Sequence, residues 1–427
     1  MDDGGPTRDV GPMSNTQHFD IIIIGGGPAG GLASLALAAR GFSCALVDAA
    51  DPGVMRGAAF DGRTSAISYA SARVFKRLGL WDAIAPDAEA IRDILVTDGR
   101  AKSWLSDGAV SPFSLHFDSS ELGPDQPLGW IVENRVIRDV LFDAIDASDN
   151  VTLMAPASRA ATKFNPGEAI VDLADGRRLS AALVIAADGR RSALRAEAGI
   201  KTNDWSYGQA GIVATVAHKK PHDGVAHEFF LPSGPFAILP MTNNRSSLVW
   251  TERAAAAPAY MALDDEKFRI EIENRFGDHL GAVTPAGPRW SYPLAFTLAQ
   301  SYVAPRLALI GDAAHAIHPI AGQGYNLGIK DIAALADVLG DGRDVGLDIG
   351  ALTVLQNYQK WRRFDSAALA LGCDSLVRLF SNDIGPLRLV RDLGMSAAGK
   401  FKPMREFFMR QAGADMGALP SLMAREG

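Results

Sequence analysis

The alternation of apolar and polar residues predicts a strand, a glycine-rich turn, a helix and a second strand within the first fifty residues. Apart from Asp20, Phe19–Ile24 is an apolar, β-branched run of the kind found in buried parallel strands. It ends in the turn Gly25–Gly30, helix spacing then continues to Arg40, and Cys44–Val47 is a second buried run. This order of elements predicts a βαβ unit, and therefore an α/β fold built on a parallel sheet.

The pattern along the rest of the chain predicts two interleaved domains and a helical end. Short alternating runs with turn residues predict β structure, whereas apolar residues at helix spacing predict helices. Residues 1–18 are polar and lack the apolar core of a signal peptide, so we expect a disordered leader. We assign 19–83, 128–202 and 289–353 to a Rossmann-like nucleotide-binding domain, 84–127 and 203–288 to a β-sheet substrate domain, and 354–427 to a helical C-terminal region.

The glycine-rich turn has the spacing that binds a dinucleotide. In G-x-G-x-x-G, Gly25 permits the tight turn, Gly27 lets a pyrophosphate approach the backbone, and Gly30 lets the helix pack on the strand. Ala29 lies in the first turn of the helix, where free N–H groups and the helix dipole favour an anion. Asp48 closes the second strand, where a carboxylate can accept hydrogen bonds from an adenosine ribose.

An alternative interpretation of this stretch is a membrane-spanning helix. Residues 21–39 carry no charge and are long enough to cross a bilayer. The glycines, Pro28 and the absence of basic flanks argue against a spanning helix, and we favour the dinucleotide site.

Two more acidic residues follow buried strands and are candidate nucleotide contacts. The run Ala182–Ala187 ends at Asp188, and Leu307–Ile310 ends at Gly311 and Asp312. A carboxylate at either place can bind the hydroxyls of a nucleotide. Because Asp-Gly is also common in ordinary turns, the motif at Asp188 alone leaves both interpretations open.

Two arginines near predicted helix starts are candidate phosphate ligands. Arg63 precedes a helix predicted over 68–78, where a guanidinium could hold a phosphate or the ribityl oxygens of a flavin. The alternative for Arg63 is a solvated side chain. Arg135 lies near the start of a helix predicted over 131–147 and is a second candidate.

The segment from His315 to Gly328 predicts an anion site at another helix start. The glycine-rich loop leads into a helix predicted over 327–339 with no acid before Asp331, so its N-terminus is free to stabilise an anion. His315 and His318 suggest a metal, but no third ligand is at hand. We therefore predict no metal site and expect both histidines to shape the loop.

The composition and net charge predict a globular chain without a nucleic-acid partner. The 427 residues are 48% hydrophobic, which is enough for a sizeable core, and the net charge of −7 disfavours a polyanion partner. Cys44 and Cys373 show neither disulfide nor metal-ligand spacing, so the simplest location is the reducing cytoplasm.

Three motifs in this order resemble the class A flavoprotein monooxygenases, the family of para-hydroxybenzoate hydroxylase. They are GGGPAG at 25–30, AADGRRSALR at 186–195 and GDAAHAIHPIAGQGYNLG at 311–328. The resemblance implies the fold of that family, with FAD contacted by Asp48, Arg63 and Asp312. It places Asp188 and Arg190 where the FAD and nicotinamide sites meet. The family often has glycine in place of Ala186, and we expect little effect from one methyl group.

The resemblance extends to the hydroxylases of ubiquinone biosynthesis and covers essentially residues 19–412. It implies an FAD-dependent monooxygenase that hydroxylates a polyprenyl phenol or benzoquinol. The flavin is reduced by NAD(P)H or by a ferredoxin-type donor, and dioxygen adds at flavin C(4a) to give the hydroperoxide that attacks the ring. The segments that carry this likeness are DGRTSAIS at 61–68, VENRVIRDVL at 132–141, GPFAILPM at 234–241, SSLVWTE at 246–252 and the helical stretch at 358–394.

The resemblance also implies a flavin-facing loop. We expect the residues around Pro319, Gly322, Gln323 and Gly324 to lie against the isoalloxazine, with Gly311 and Asn326 completing the FAD-binding set. We assign no residue as a catalytic acid or base. Three further residues lie in the predicted substrate sheet, where we interpret each as a packing residue: Tyr207, His227 and Trp250.

A polyprenyl substrate implies partners at a membrane. Each isoprene unit contributes roughly 4 kcal/mol of apolar transfer energy, so such a tail does not enter water unaided. We expect contact with a bilayer at the inner face of the cell membrane, other ubiquinone-biosynthesis proteins and a possible homo-oligomer. The basic segment 385–412, with Met404, Phe407 and Phe408 at helix spacing, is a candidate docking face. The alternative is a C-terminal helix packed on the core.

Two other functions fit the same motifs. One is a class A hydroxylase that acts on a small, soluble aromatic compound. The other is a non-catalytic FAD-binding subunit of a quinone-synthesis complex. Flavin halogenases fit poorly, because the chain has no W-x-W-x-I-P segment.

Overall fold

The computed structural model describes residues 16–56, 62–98, 114–123, 126–277, 279–380 and 402–425. Most of the predicted leader, 1–18, and most of the candidate docking face, 385–412, lie outside these residues. Thr16 to His18, predicted to end the leader, instead begin the first strand, β1 (Thr16–Ile24). They do so because β1 pairs along its length with a parallel strand that starts at Arg178.

An eight-stranded sheet forms the core of the nucleotide-binding half. Its central strands are parallel and lie in the order β19 (Leu307–Leu309), β11 (Arg178–Ala186), β1, β2 (Cys44–Val47) and β8 (Val151–Met154), which confirms the predicted βαβ unit. The apolar runs that predicted these strands are almost fully buried. The sheet is completed by β9 (Arg159–Phe164), β10 (Ala169–Leu173) and β18 (Val303–Ala304).

Helices cover this sheet and form the end of the described chain. Helix α1 packs against α5 and α9, and α9 packs against the long helix α10. The helices are α1 (Pro28–Ala39), α2 (Pro52–Arg56), α3 (Tyr69–Arg77), α4 (Trp81–Ile84), α5 (Asn134–Asp146), α6 (Ala193–Glu197), α7 (Ala257–Met261), α8 (Asp265–Phe276), α9 (Gly324–Asp344), α10 (Leu352–Phe380) and α11 (Lys402–Ala412).

The substrate half is a nine-stranded, mostly antiparallel sheet. The strand order is β20, β17, β12, β15, β14, β13, β5 and β6, and β16 pairs with β12. The sheet comprises β5 (Asp93–Asp98), β6 (Ser114–Asp118), β12 (Thr202–His218), β13 (Val225–Leu231), β14 (Gly234–Met241), β15 (Arg245–Arg253), β16 (Val283–Pro285), β17 (Trp290–Ala299) and β20 (His315–Ala316). A separate three-stranded sheet joins β3 (Thr64–Ser68), β4 (Glu89–Ile91) and β7 (Gly129–Glu133).

The strand pairing differs from the predicted assignment in two places. Strands β17 and β20 lie in the segment 289–353 assigned to nucleotide binding, yet both belong to the nine-stranded sheet, where β17 pairs with β12 and β20 with β17. Strand β4 lies in the segment 84–127 assigned to the substrate domain, yet it pairs with β7. Both differences arise because the pairing partners are distant in sequence. The pattern within one segment therefore does not predict these strand pairings.

Each face of the nine-stranded sheet has a different neighbour. On the outer face, helices α7 and α8 cover a cluster that includes Trp250, Phe236 and Phe268. The inner face meets the nucleotide-binding half, where Thr64 on β3 donates to Ser247 Oγ at 3.0 Å and Phe230 contacts Ile320. The space between the two halves therefore adjoins the inner face.

The uncharged run at 21–39 is a strand, a turn and a helix. Among the residues that the structure describes, every helix is too short or too polar to cross a bilayer.

Candidate functional site

Four predicted nucleotide-binding positions lie together at one edge of the eight-stranded sheet. Neighbouring parallel strands end at Gly25 after β1, Asp48 after β2, Asp188 after β11 and Asp312 after β19. Ligands of open α/β sheets bind beyond the carboxyl ends of the strands. The structure thus brings together residues that are separated by almost three hundred positions in the chain.

The glycine turn leaves no room for side chains at two positions and leaves open space at a third. A Cβ on Gly25, whose φ is +109°, would lie 2.4 Å from the carbonyl oxygen of Ala187. A Cβ on Gly30 would lie 1.8 Å from the carbonyl oxygen of Gly25. No atom lies within 4 Å of a Cβ built on Gly27. The backbone there is accessible to a phosphate, and α1 has neither a side-chain cap nor an acid in its first turn.

Backbone hydrogen bonds hold Asp48 beside the turn. Its Oδ2 accepts from the Gly26 N–H at 2.5 Å, and its Oδ1 accepts from the Ala50 N–H at 2.7 Å. Each carboxylate oxygen keeps a second lone pair. This orientation leaves the carboxylate able to accept hydrogen bonds from a ribose, and contact of Asp48 with FAD stays a prediction.

Asp188 has a structural role that the sequence did not reveal. Its Oδ2 accepts from the N–H groups of Ala193 and Leu194 at the start of α6, at 2.9 and 3.4 Å. Its Oδ1 is buried, and within the described residues it has no hydrogen-bond partner. Contact of Asp188 with FAD or nicotinamide stays a prediction, and the unpartnered oxygen is the atom available for it.

Asp312 lies in the short turn that follows β19. Its side chain is exposed. The surrounding protein nevertheless raises the pKa of its carboxyl by desolvation, which His315 and Arg190 partly oppose. Asp312 is placed to bind polyol hydroxyls, and the backbone of Gly311 before it lies beside Ala29, since a Cβ on Gly311 would be 3.5 Å from that methyl group.

The two predicted arginine ligands occupy different surroundings. Arg63 is exposed and near Tyr292, where it partly offsets the burial that raises the pKa of that tyrosine. Arg135 donates through Nε to Glu133, which also forms a 2.8 Å ion pair with Arg245. Arg135 is thereby held to strand β7. Contact of either arginine with a cofactor stays a prediction.

The predicted flavin-facing loop is a tight turn that runs into α9. Pro319 opens a 3-10 turn, and Gly322 has a φ of +60° with its Cβ position 2.9 Å from the Ala66 methyl group. Gln323 donates to the Ala412 carbonyl at 3.0 Å, which ties the loop to α11. Helix α9 begins at Gly324, three residues before the predicted start, and its first turn contains no acid. Its N–H groups are therefore available to an anion.

Asn326 fixes the loop through its side chain. It is buried, its Oδ1 accepts from the Ser68 N–H at 2.9 Å, and its Nδ2 donates to the carbonyls of Ala66 and Gly322 at 2.9 and 3.1 Å. Because the amide is engaged with backbone, its role in the predicted cofactor set is to position β3 against the loop.

Replacing Asn326 with leucine should loosen this junction. The exchange leaves the Ser68 N–H and two carbonyls without their partner, at about 1–3 kcal/mol for each group that stays buried and unpaired. We expect a lower urea midpoint and faster flavin loss on gel filtration. Asn150→Leu, at an exposed position, is the control. An Asn326→Leu protein that matches wild type in both measurements would contradict this role.

His315 and His318 support the predicted flavin-facing loop through buried contacts. His315 and Asp331 are fully buried and paired at 2.6 Å, and Arg362, also fully buried, donates to Asp331 at 2.9 Å. His318 accepts from the Ile320 N–H at 3.2 Å within the turn. These contacts confirm that both histidines shape the loop.

The site residues fit FAD. The open backbone at Gly27 and the uncapped start of α1 suit a pyrophosphate, Asp48 suits the adenosine ribose, and Asp312 suits the ribityl chain. The start of α9 suits the electron-rich edge of a flavin ring. All of these groups open on the same edge of the sheet.

An apolar surface lies across from the loop. Val213, Val249, Ala237, Glu228 and Val96 form one cross-strand row on the inner face of the nine-stranded sheet. Central strands of a covered sheet are normally buried on both faces, yet Val249 and Glu228 keep partial exposure. Open space therefore remains between this row and the nucleotide-binding half.

The three residues interpreted as packing in the substrate sheet occupy both faces. Trp250 is buried on the outer face with the Arg275 guanidinium 4.0 Å from its ring. His227 stacks on Phe229 of the same face, and burial lowers its pKa to about 3. Tyr207 meets the ring of His318 edge-on at 5.1 Å. Packing is confirmed for the first two, while Tyr207 borders the loop.

Sequence reasoning missed Glu228. The run AHEFFL contains this single acid, and alternation along β13 places it on the face opposite Phe229. The signal was a lone carboxylate in an apolar strand, but which face meets the other half of the molecule cannot be read from one strand.

Comparison with known proteins agrees with this geometry. A family model described as FAD binding domain matches residues 18–342, and one described as squalene epoxidase matches residues 290–396. The ubiquinone hydroxylase UbiL of Rhodospirillum rubrum is 44% identical over 97% of this chain and 94% of its own. The 3-demethoxyubiquinol 3-hydroxylase of Escherichia coli is 38% identical over 90% of this chain and 96% of its own.

The fold is also similar to a solved monooxygenase. The crystal structure of p-nitrophenol 4-monooxygenase PnpA from Pseudomonas putida superposes with a TM-score of 0.75. The match covers 93% of this chain and 99% of that one at 18% identity, so it is evidence for the fold alone. The class A architecture expected from the motifs is thereby confirmed.

Proposed function

Because the chain belongs to the FAD-dependent hydroxylases of ubiquinone biosynthesis, we propose that it hydroxylates the ring of a polyprenyl phenol or benzoquinol precursor of ubiquinone. The chain is an oxidoreductase, a monooxygenase that uses FAD. The observation that carries the proposal is the partly open apolar row on the inner face, opposite the loop at 319–324. An electron-rich ring with an apolar polyprenyl substituent fits such a surface better than a charged metabolite does.

The protein contributes binding, orientation and exclusion of water. When bound, the flavin supplies the activated oxygen atom. The turn at Gly27 and the acids at the strand ends would hold the nucleotide, and the N-terminus of α9 would stabilise negative charge on a flavin ring. Phe230 and Ile320, which contact one another, border the reaction space with apolar side chains. A dry site favours transfer of oxygen to the substrate over side reactions with water.

We propose NAD(P)H as the electron donor, as is typical of class A enzymes. Flavin reduction should be followed at 450 nm under anaerobic conditions with NADH, with NADPH and with a reduced ferredoxin, each with and without the phenol. Reduction by a nicotinamide supports the proposal. Reduction by ferredoxin alone assigns a protein donor instead.

The substrate is tested with the purified holoenzyme. A phenol that carries a geranyl chain and a water-soluble phenol are each supplied with donor and oxygen, and products are identified by mass spectrometry. Hydroxylation of the prenylated phenol supports the proposed function. Turnover of the soluble phenol alone favours the soluble-aromatic alternative, and bound flavin without any turnover favours the non-catalytic subunit.

We further propose that the enzyme reaches its substrate at the bilayer surface. On α11, Phe407 and Phe408 are 50% and 43% exposed next to the exposed cations Lys402 and Arg410. Exposed aromatic rings beside positive charges suit the interface of an anionic membrane. The inner side of α11 is anchored, because Arg405 pairs with Glu121 at 2.6 Å.

Replacing Phe407 and Phe408 with serine should weaken membrane binding. We expect the double variant to float less with vesicles of phosphatidylglycerol and phosphatidylethanolamine, while its flavin content stays unchanged. Val345→Ser, at an exposed apolar position outside α11, is the control. Equal flotation of the double variant and wild type would remove α11 as the docking element.

A further inference from the structure

Glu228 is a lone carboxylate in an apolar row that faces the reaction space. Its direct cross-strand neighbours are Ala237 on β14 and Val96 on β5. Two positions along β13 on the same face lies Phe230, which contacts Ile320 of the flavin-facing loop. Glu228 is partly exposed on this face, which borders the space between the sheet and that loop.

None of the described residues compensates this carboxyl with an opposite charge. Within the described residues Glu228 has neither a hydrogen bond nor an ion pair, and burial alone raises its pKa to about 8. A carboxyl that the surrounding protein desolvates without offering a partner costs stability. It is therefore more easily understood as a functional group than as a structural one.

Titratable groups on the neighbouring elements that the structure describes are engaged in other contacts. On β15, Arg245 pairs with Glu133 at 2.8 Å. On β5, Asp93 pairs with His116 at 2.6 Å. Beneath the loop, His318 accepts from its own turn, and on α11 Arg405 pairs with Glu121. His227 belongs to the opposite face, and its pKa is lowered to about 3, so it is neutral at physiological pH.

We propose that Glu228 binds the hydroxyl group of the phenol and takes up its proton during hydroxylation. This inference rests on the proposed function, because it requires a phenolic substrate on the inner face. The carboxylate oxygen accepts the phenol O–H, the O–H bond breaks, and its electron pair stays on the ring oxygen. The resulting phenolate donates electron density to the ring carbon that receives the oxygen atom.

The proton balance closes with the products of a monooxygenase. One atom of dioxygen enters the ring and the other becomes water, with two electrons from the donor. The new oxygen enters as a hydroxyl group, and the hydrogen of the attacked ring carbon is transferred to the original ring oxygen when the ring regains aromaticity. The proton held by Glu228 is passed to the water that forms, and the carboxylate is restored for the next turnover.

Glu228→Gln keeps the size and polarity of the side chain but cannot take up a proton. Turnover of 2-geranylphenol should fall about 100-fold, the usual contribution of a general base. The pH profile of kcat/KM in wild type should rise through pH 8, and the variant should lose this limb. Flavin reduction by the donor should be unchanged. Glu266→Gln, an exposed acid on the helix α8 that covers the opposite face, is the matched control.

A thermal unfolding series gives a readout that is independent of turnover. A Glu whose folded pKa lies above its unfolded value stabilises the protein least at high pH, because ionisation is disfavoured only in the folded state. Glu228→Gln should therefore raise Tm relative to wild type at pH 9, and by less at pH 5. No difference in Tm at pH 9 would show that the carboxyl is not desolvated and would overturn the inference.

The outcomes separate the two proposals. If wild type hydroxylates 2-geranylphenol and Glu228→Gln does so equally fast with the same pH profile, the role of Glu228 is refuted while the proposed function stands. If wild type does not hydroxylate the prenylated phenol at all, both fall. Loss of turnover together with the pH limb, with normal flavin content, supports the inference.

Discussion

Replacing Gly30 with alanine should yield protein that purifies without flavin. The added Cβ would lie 1.8 Å from the carbonyl oxygen of Gly25, so α1 must move away from the turn that cradles the pyrophosphate. A loss of only ~1.4 kcal/mol of binding energy lowers affinity about tenfold, and a displaced helix start costs more. The measurement is the ratio of absorbance at 450 and 280 nm after purification.

The neighbouring glycine provides the matched control. A Cβ on Gly31 would meet the Leu141 side chain at an ordinary 3.5 Å. Gly31→Ala should therefore retain flavin. Circular dichroism of both variants separates loss of flavin from loss of fold. A Gly30→Ala protein that is folded and as yellow as wild type would contradict the assignment of this turn to the cofactor.

Replacing Arg362 with methionine should strongly destabilise the protein. Arg362 is fully buried and donates to Asp331 at 2.9 Å and to Ser366 at 3.0 Å. Burial opposes ionisation of Asp331, but His315 and Arg362 outweigh it and lower the pKa of this carboxyl. Removing the guanidinium leaves the buried Asp331 charge with His315 as its remaining charged partner, and breaking a buried ion pair typically costs about 3–5 kcal/mol.

Urea unfolding followed by fluorescence measures this cost. Lys267→Met removes a cation from an exposed pair with Asp264 and should leave the midpoint unchanged. Because the depressed pKa of Asp331 contributes stability above its unfolded value, the deficit of Arg362→Met should shrink as the pH falls into the acid range. A midpoint equal to wild type at neutral pH would show that the pair does not support the loop.

Local features of the fold could be predicted because one segment contains the whole signal. The run from Phe19 to Asp48 specifies a strand, a turn, a helix and a second strand through its own spacing, and the structure follows it. The glycine positions follow from the same local logic, since each must admit close approach of backbone.

Pairing between distant segments could not be predicted in the same way. Residues 131–133 were expected to be helical, but the β-branched side chains of Ile131 and Val132 pair with β3. Strand β17 joins β12, whose partners lie far along the chain. Hydrophobic spacing identifies a strand but does not predict which strand pairs with it.

At the site, motifs predict where a side chain lies but not which groups it contacts. Motif position placed Asp188 and Asn326 near the nucleotide, but their hydrogen bonds to α6 and to β3 depend on elements elsewhere in the chain. Glu228 belongs to no motif. Its importance follows from the face of the sheet on which it lies and from the absence of a charged partner among the described residues.

The central claim is best tested by weighing the quinone precursors of a strain that lacks this chain and has no other hydroxylase of the family. Lipid extracts are analysed by mass spectrometry, with plasmid copies of wild type and of Gly30→Ala. Accumulation of a prenylated phenol lacking one ring oxygen, cleared by wild type but not by Gly30→Ala, is the expected result. Normal ubiquinone with no accumulated precursor would contradict the claim, and the soluble-aromatic alternative would then be the leading one.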